Sequence, residues 1–336
     1  MTRASSFILI VLFISLISCR PEPPDFMTVT GPVSVKKMGK TLHHEHILVD
    51  FIGADSTGYH RWNREEVVKK VLPYLLEARD LGYKTIMECT PAFLGRDPEL
   101  LKMLSEKTGM YFVTNTGLYS AYDGKYIPEE LQKKTAEELA ALWIDEAKNG
   151  IEGTGVYPGF IKISVNPGPL SELNRKVVEA SCITHKATGL VIMSHTGPAI
   201  PAFEQLEILK KYGVDPSAFI WTHANNEKDR EKLLEAARMG VFIAFDGFAP
   251  DKVDEYLDFI LYIKKHGQLP QVLLSHDAGW YSPGEPDGGD FRGYSDIETY
   301  LVPAMEKAGI AQFDLFQLFF RTPADAFRIR ELPVQQ

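Results

Sequence analysis

The stretch TLHHEHILVD, residues 41–50, decides how the rest of the chain is read. In an extended strand, side chains alternate between faces, so His44 and His46 share one face and Glu45 takes the other. Two imidazoles about 6.6 Å apart along such a strand can clasp one divalent cation. His-x-His also describes a surface strand that happens to carry histidine. What separates the two readings is the company the motif keeps at later strand ends.

Apolar, β-rich runs recur at 42–49, 84–89, 111–116, 160–165, 190–195, 219–223, 241–246 and 272–277. Amphipathic helical runs lie between them. In the run 64–81, Val67, Val68, Val71, Leu72, Leu75 and Leu76 recur at helical spacing. Asn63 is its expected N-cap with Glu66 as capping-box partner, and Pro73 is expected to bend it. Asp97-Pro98 opens a second helix, and a third, 227–239, stops at Gly240. Eight strand–helix alternations predict an α/β chain folded as a (β/α)8 TIM barrel. No Gly-x-Gly-x-x-Gly follows the first strand, which removes support from a doubly wound nucleotide-binding sheet.

A barrel of this kind builds its site where the strands end, at the C-terminal face. The fifth strand ends in Met193-Ser194-His195, the sixth in Trp221-Thr222-His223 and the eighth in Ser275-His276-Asp277. The fourth carries Lys162 between Ile161 and Ile163. With the isoleucines packed outward on helices, Lys162 turns into the barrel. It either pairs with an acid across the barrel or, since burial disfavours its charge, reacts as a neutral amine with carbon dioxide. The resulting carbamate is an anion whose two oxygens can bridge two metals.

The 336-residue chain is 45% hydrophobic and 24% charged with a formal net charge of −9, ordinary for a globular enzyme and unsuited to a nucleic-acid partner. Residues 7–17, FILIVLFISLI, are too short to span a bilayer but fit the apolar core of an export signal. The run ends in Leu16-Ile17-Ser18-Cys19, which resembles a bacterial lipobox. The expectation is a lipoprotein signal peptide over 1–18 and a lipidated Cys19. A Pro-rich tether over 19–30 and a hydrolase barrel over 31–332 follow. That places the protein in a bacterial cell envelope, exported and held to the membrane through its lipid. The other two cysteines, Cys89 and Cys182, are read either as one disulfide or as buried thiols.

Seven further segments carry a resemblance: TVTGP (28–32), GKTLHHEH (39–46), ECTPAFLGRD (88–97), TGLY (116–119), FIKIS (160–164), SHTG (194–197) and HDAGW (276–280). With the order HxH–Lys–His–His–Asp, the chain resembles the phosphotriesterase-like family of the amidohydrolase superfamily from about residue 28 to 327. The resemblance implies that His44, His46 and Asp277 hold one metal. It implies that His195 and His223 hold a second, with carboxylated Lys162 bridging both. Zinc is expected, with manganese, cobalt and iron as alternatives, and a homodimer is possible. A hydroxide shared by the two cations would attack a lactone or other carboxylic ester, with Asp277 accepting the proton. Phosphotriester and amide cleavage are alternatives on the same site, and a ligand-binding surface lipoprotein is the non-enzymatic one.

Asp246, closing strand seven, is expected either to support the ligands from behind or to contact substrate, Tyr119 either to contact substrate or to pack, and Trp280, Tyr281 and Arg292 to contact substrate. The last three belong to the Gly- and Pro-rich segment 278–294, whose acids and arginine suggest a polar, sugar-like small-molecule substrate. Relatives that open lactones often carry Arg where this chain has Gly247. His43 and His276 are expected to face away from the site.

Overall fold

A computed structural model describes residues 25–331. The export signal and Cys19 lie outside the described residues, as does the tether up to residue 24. Residues 25–30, assigned to the tether from sequence, are part of the folded body: Phe26–Thr28 pairs antiparallel with Gly31–Val33, and Phe26 is buried. Among the described residues no helix is long and apolar enough to cross a membrane.

Eight parallel strands form the barrel. They are β1 (Lys40–Glu45), β2 (Tyr83–Glu88), β3 (111–116, interrupted at Thr114), β4 (Phe160–Ser164), β5 (Ile192–His195), β6 (Phe219–Thr222), β7 (Phe242–Phe245) and β8 (Val272–Leu274). Register runs unbroken from β4 to β8, as in Lys162 beside Met193 and Ser194 beside Trp221. Closure between β8 and β1 comes from Asp277 N–H donating to His44 O (3.1 Å) and His46 N–H to Ala278 O (2.9 Å). With helices interleaved between strands, this is a TIM barrel.

Alternation sorts side chains into two shells. Ile161, Ile163, Trp221, Ile243 and Phe245 pack outward with the helices. Met87, Val113, Phe160, Met193, Ile220 and Leu273 fill the axis. Cys89 and Cys182 are both buried and unpaired.

The helices start where their caps place them. Asn63 accepts from the N–H groups of Glu65 and Glu66 to open α1 (Arg64–Asp80), which continues through Pro73. Asp97 accepts from Leu100 N–H at the start of α2 (Pro98–Thr108). The helix expected from residue 227 begins at Arg230, because Asp229 is the cap. β8 also ends early, at Leu274. Three of the next four residues bond to the Glu45 side chain: its carboxylate accepts from Ser275 Oγ (2.7 Å), His276 N (3.0 Å) and Nδ1 (2.8 Å), and Ala278 N (2.9 Å). This clasp fixes the residue between His44 and His46 against the one before Asp277.

Candidate metal centre

β1 is not a regular strand. A bulge between Leu42 and Glu45 breaks its register with β2. Leu42 therefore packs outward with the helices, while His44, two residues on, lines the central pocket. The same irregularity overturns the expected orientation of His43. Its ring lies 6.4 Å from that of His44, centroid to centroid, too close for side chains on opposite faces. Both ring nitrogens of His43 are buried without a partner, and burial pushes its pKa down to about 4. His276 does face outward, spanning Glu45 and the N–H of Ile297.

Six ligand-type side chains converge on one cavity of about 110 Å³: His44, His46, Lys162, His195, His223 and Asp277. His46 Nε2 lies 3.0 Å and His44 Nε2 3.6 Å from the same Asp277 oxygen. Opposite them, His223 Nε2 lies 2.7 Å from His195 Nδ1. Lys162 Nζ sits 3.1 Å from His44 Nε2 and lines the same cavity as His195 and His223. Nitrogen atoms aimed at one another across such short gaps fit a centre that takes divalent cations. Two ligands, His223 (φ 58°) and Asp277 (φ 52°), have left-handed backbones, an uncommon conformation for non-glycine residues.

Three of the four histidines are aimed by a partner behind them. Asp246 accepts from His44 Nδ1 (2.7 Å), His223 Nδ1 (2.8 Å) and His223 N–H (3.1 Å). With both oxygens engaged at Nδ1 atoms, Asp246 is a positioning residue that leaves each Nε2 facing the cavity. His46 Nδ1 meets Thr90 Oγ1 at 2.8 Å, and Thr90 donates to buried Glu88 (2.6 Å). Sequence reasoning missed Glu88 and Thr90 as partners of the site. Their signal was their place at the end of strand two, inside the segment 88–97 that carries the resemblance.

Charge in the cavity is set by burial and by these partners. Burial, then Lys162, pushes His44 down to about 3. Burial and His223 hold His195 well below the usual imidazole range. For Asp277, burial is outweighed by His44 and His46, and its carboxyl stays ionised. For Asp246 burial is likewise outweighed by His223 and His44. For His223 burial loses to Asp246, so its pKa is raised.

Tyr119 lines the cavity, its hydroxyl 3.2 Å from both ring nitrogens of His195. Trp280 stands edge-on to His46, centroids 5.7 Å apart. It is placed there by Gly279, whose φ of 101° and contact with His46 O leave no room for a side chain. Tyr281 turns away. Its backbone pairs with Ile47 and Val49 and its ring faces a separate groove of about 980 Å³ beside α1. Arg292 donates to Phe248 O and Asp296 (2.8 Å) and borders, with Asp290, an adjoining space that Asp277 and Trp280 also line. The cavity walls are Val49, Phe51, Leu94, Tyr119, Tyr122 and Trp280. They are aromatic and aliphatic, where the sequence of segment 278–294 suggested a polar lining.

A sequence profile of the Phosphotriesterase family matches residues 24–327. The chain belongs to that family. It is a hydrolase of the phosphotriesterase family, similar to a phosphotriesterase homology protein of Escherichia coli, 26% identical over 302 residues covering 88% of this chain and all of the relative. An aryldialkylphosphatase of Saccharolobus solfataricus is 29% identical over 249 residues, 73% of this chain and 78% of the relative. A human N-acetyltaurine hydrolase is 25% identical over 341 residues, 88% and 95% of the two chains. These relatives carry different activity names on one fold, so the family establishes hydrolysis and leaves the bond to be argued from the site.

Proposed function

We propose that this hydrolase cleaves a lactone or another carboxylic ester at a binuclear centre held by His44, His46 and Asp277 on one side and His195 and His223 on the other. Lys162, as its carbamate, would add an anionic ligand to such a centre. A metal pair bound there would bring a water's pKa near neutrality and polarise the carbonyl under attack. Asp277 is placed to take the proton of the attacking water, because its carboxylate reaches both histidines of the first group and is held ionised by them. Asp246 keeps His44 and His223 in the tautomer that leaves Nε2 unprotonated. Tyr119 and Trp280 flank the cavity and position the acyl group.

The observation that carries the ester reading is the size and lining of the cavity. About 110 Å³ walled by aromatic and aliphatic groups suits a compact, uncharged, planar carbonyl better than a phosphorus centre bearing three substituents. Phosphotriester and amide cleavage remain the competing reactions, since relatives are named for one of each. Turnover of purified protein on lactone, ester, amide and phosphotriester panels separates them. Highest kcat/KM on lactones or esters is expected, and preference for a triester or amide contradicts the reading.

We also propose that the chain is an exported bacterial lipoprotein tethered through Cys19. The support is the apolar run 7–17 followed by Leu16-Ile17-Ser18-Cys19. Mass spectrometry of the mature N-terminal peptide is the test, and an unmodified Cys19 contradicts it.

A further inference from the structure

The end of the barrel opposite the metals, its floor, carries features that the hydrolase does not use. It is closed by the hairpin 26–33 and by the helical segment 312–327. That segment packs against strand starts: Phe319 lies under Lys40 Nζ at 5.5 Å, Thr322 donates to Pro270 O at 3.2 Å, and Phe327 meets Phe160 at the barrel axis. One face of it is left uncovered. Phe313 is 65% and Phe316 45% exposed, and Phe316 stacks on Phe320 with centroids 5.0 Å apart. Residues 313, 316 and 320 fall on one side of a helix. Single exposed apolar residues are common on protein surfaces, but two exposed rings, Phe313 and Phe316, continued by half-buried Phe320, make a small apolar patch on the closed end of the barrel.

Charge separates the two ends. The helices run antiparallel to the strands, so their last turns reach the floor, and those turns carry Lys107, Lys186, Lys211, Arg238 and Lys265. Their first turns at the mouth carry acids such as Glu65, Glu99, Glu172 and Glu231. Helix dipoles favour this distribution by themselves, so the charges alone are not evidence of a partner. The Phe stripe has no such explanation. Arg321 lies over Phe313 at 6.0 Å, which puts a cation at the edge of the stripe.

The chain also leaves the described body from this face. Asp25 O accepts from Ile329 N–H at 2.9 Å. Its carboxylate accepts from Val35 N–H at 2.7 Å and pairs with Arg328. Twenty-four residues precede Asp25, including the apolar run 7–17.

We propose that the barrel floor is the surface on which this protein docks to an anionic lipid bilayer. Phe313 and Phe316 enter the headgroup region, Arg321 beside Phe313 faces anionic lipid, and the metal mouth points away into solvent. An in-plane helix with aromatic residues on one face and cations beside it binds membranes in this way, and each basic residue near the surface adds to the attraction. The orientation rests on the folded barrel; only the covalent tether rests on the Cys19 reading.

The test uses the full chain on vesicles of phosphatidylcholine with phosphatidylglycerol. Polarity-sensitive fluorophores are placed on Phe313→Cys and, separately, on Glu285→Cys at the opposite end, with Cys19 lipidated or replaced by Ser. Lipid-borne nitroxide is expected to quench the label at 313 and spare the one at 285. In the unlipidated Cys19→Ser chain, Phe313→Ser with Phe316→Ser should weaken vesicle binding about tenfold while ester turnover in solution stays unchanged. Equal quenching at both labels, or none at either, overturns the proposal. So does a label at 313 already shielded without vesicles in a chain that runs as a dimer, which would make the stripe a contact between copies. An unlipidated Cys19 with quenching at 313 retained removes the tether and leaves the docking face standing.

Discussion

The two halves of the proposed metal centre each rest on a pair of histidines but are held with different firmness. His44, His46 and Asp277 stand on β1 and the end of β8, locked together by the four bonds to Glu45 and backed by Thr90 and Glu88. His195 and His223 stand on β5 and the end of β6. Among the described residues, His223 is backed by Asp246, which is shared with the first half, and His195 is met by His223 and by the Tyr119 hydroxyl from the cavity side. The difference teaches that preorganisation is unequal: the first half is set by closure of the barrel itself, and the second half depends on two side chains. Metal affinity should therefore be higher in the first half.

The sharpest break of this comparison is Asp277→Asn. It keeps a ligand oxygen and removes the proton acceptor, so kcat should fall by roughly 10²–10⁴-fold while most of the metal remains. Unchanged turnover would take Asp277 out of that role. Asp246→Asn comes next, because it loosens one histidine in each half. Metal affinity should drop about 10–100-fold at both positions, measured by competition with a chelator; an effect confined to one metal contradicts the sharing. Thr90→Val touches the first half alone and should cost about tenfold in affinity there, leaving the second metal in place. Tyr119→Phe is expected to have the smallest effect. Losing one hydrogen bond of ~0.5–1.5 kcal/mol should change kcat/KM by a few-fold with metal content intact.

Acid should separate the halves as well. A proton on His223 excludes a metal, and its pKa is raised because Asp246 outweighs burial. Protonation therefore sets in at higher pH than for an ordinary imidazole, whereas His44 stays neutral down to about 3. Metal content followed by atomic absorption during acidification should fall in two steps, with the second-half metal leaving first. Asp246→Asn should shift the first loss to lower pH relative to the rest, and a single concerted loss would contradict the inequality.

Much of this was legible in the chain. The eight-fold alternation fixed the barrel because strand and helix periods differ, and Ile161 and Ile163 correctly turned Lys162 inward. The bulge in β1 was not legible, because it arises from pairing with β2 and leaves no local mark between Leu42 and Glu45. Strict alternation consequently misplaced His43. Glu45 looked like a spacer between two histidines, and only the return of β8 across 230 residues of sequence separation shows it as the clasp. The character of segment 278–294 was misread for a related reason. Its composition is polar, but the left-handed backbone at Trp280 brings one aromatic ring into the cavity, Tyr281 faces the groove beside α1, and Arg292 borders an adjoining space that Asp277 and Trp280 also line.

The central claim is that residues scattered from 44 to 277 cage a pair of cations. Anomalous diffraction from crystals of the metal-loaded protein measures this most directly. The account predicts two peaks about 3.5–4 Å apart, one between His44, His46 and Asp277 and the other between His195 and His223, with density joining Lys162 to both. A single peak, or two peaks of which either lies away from these side chains, would contradict it.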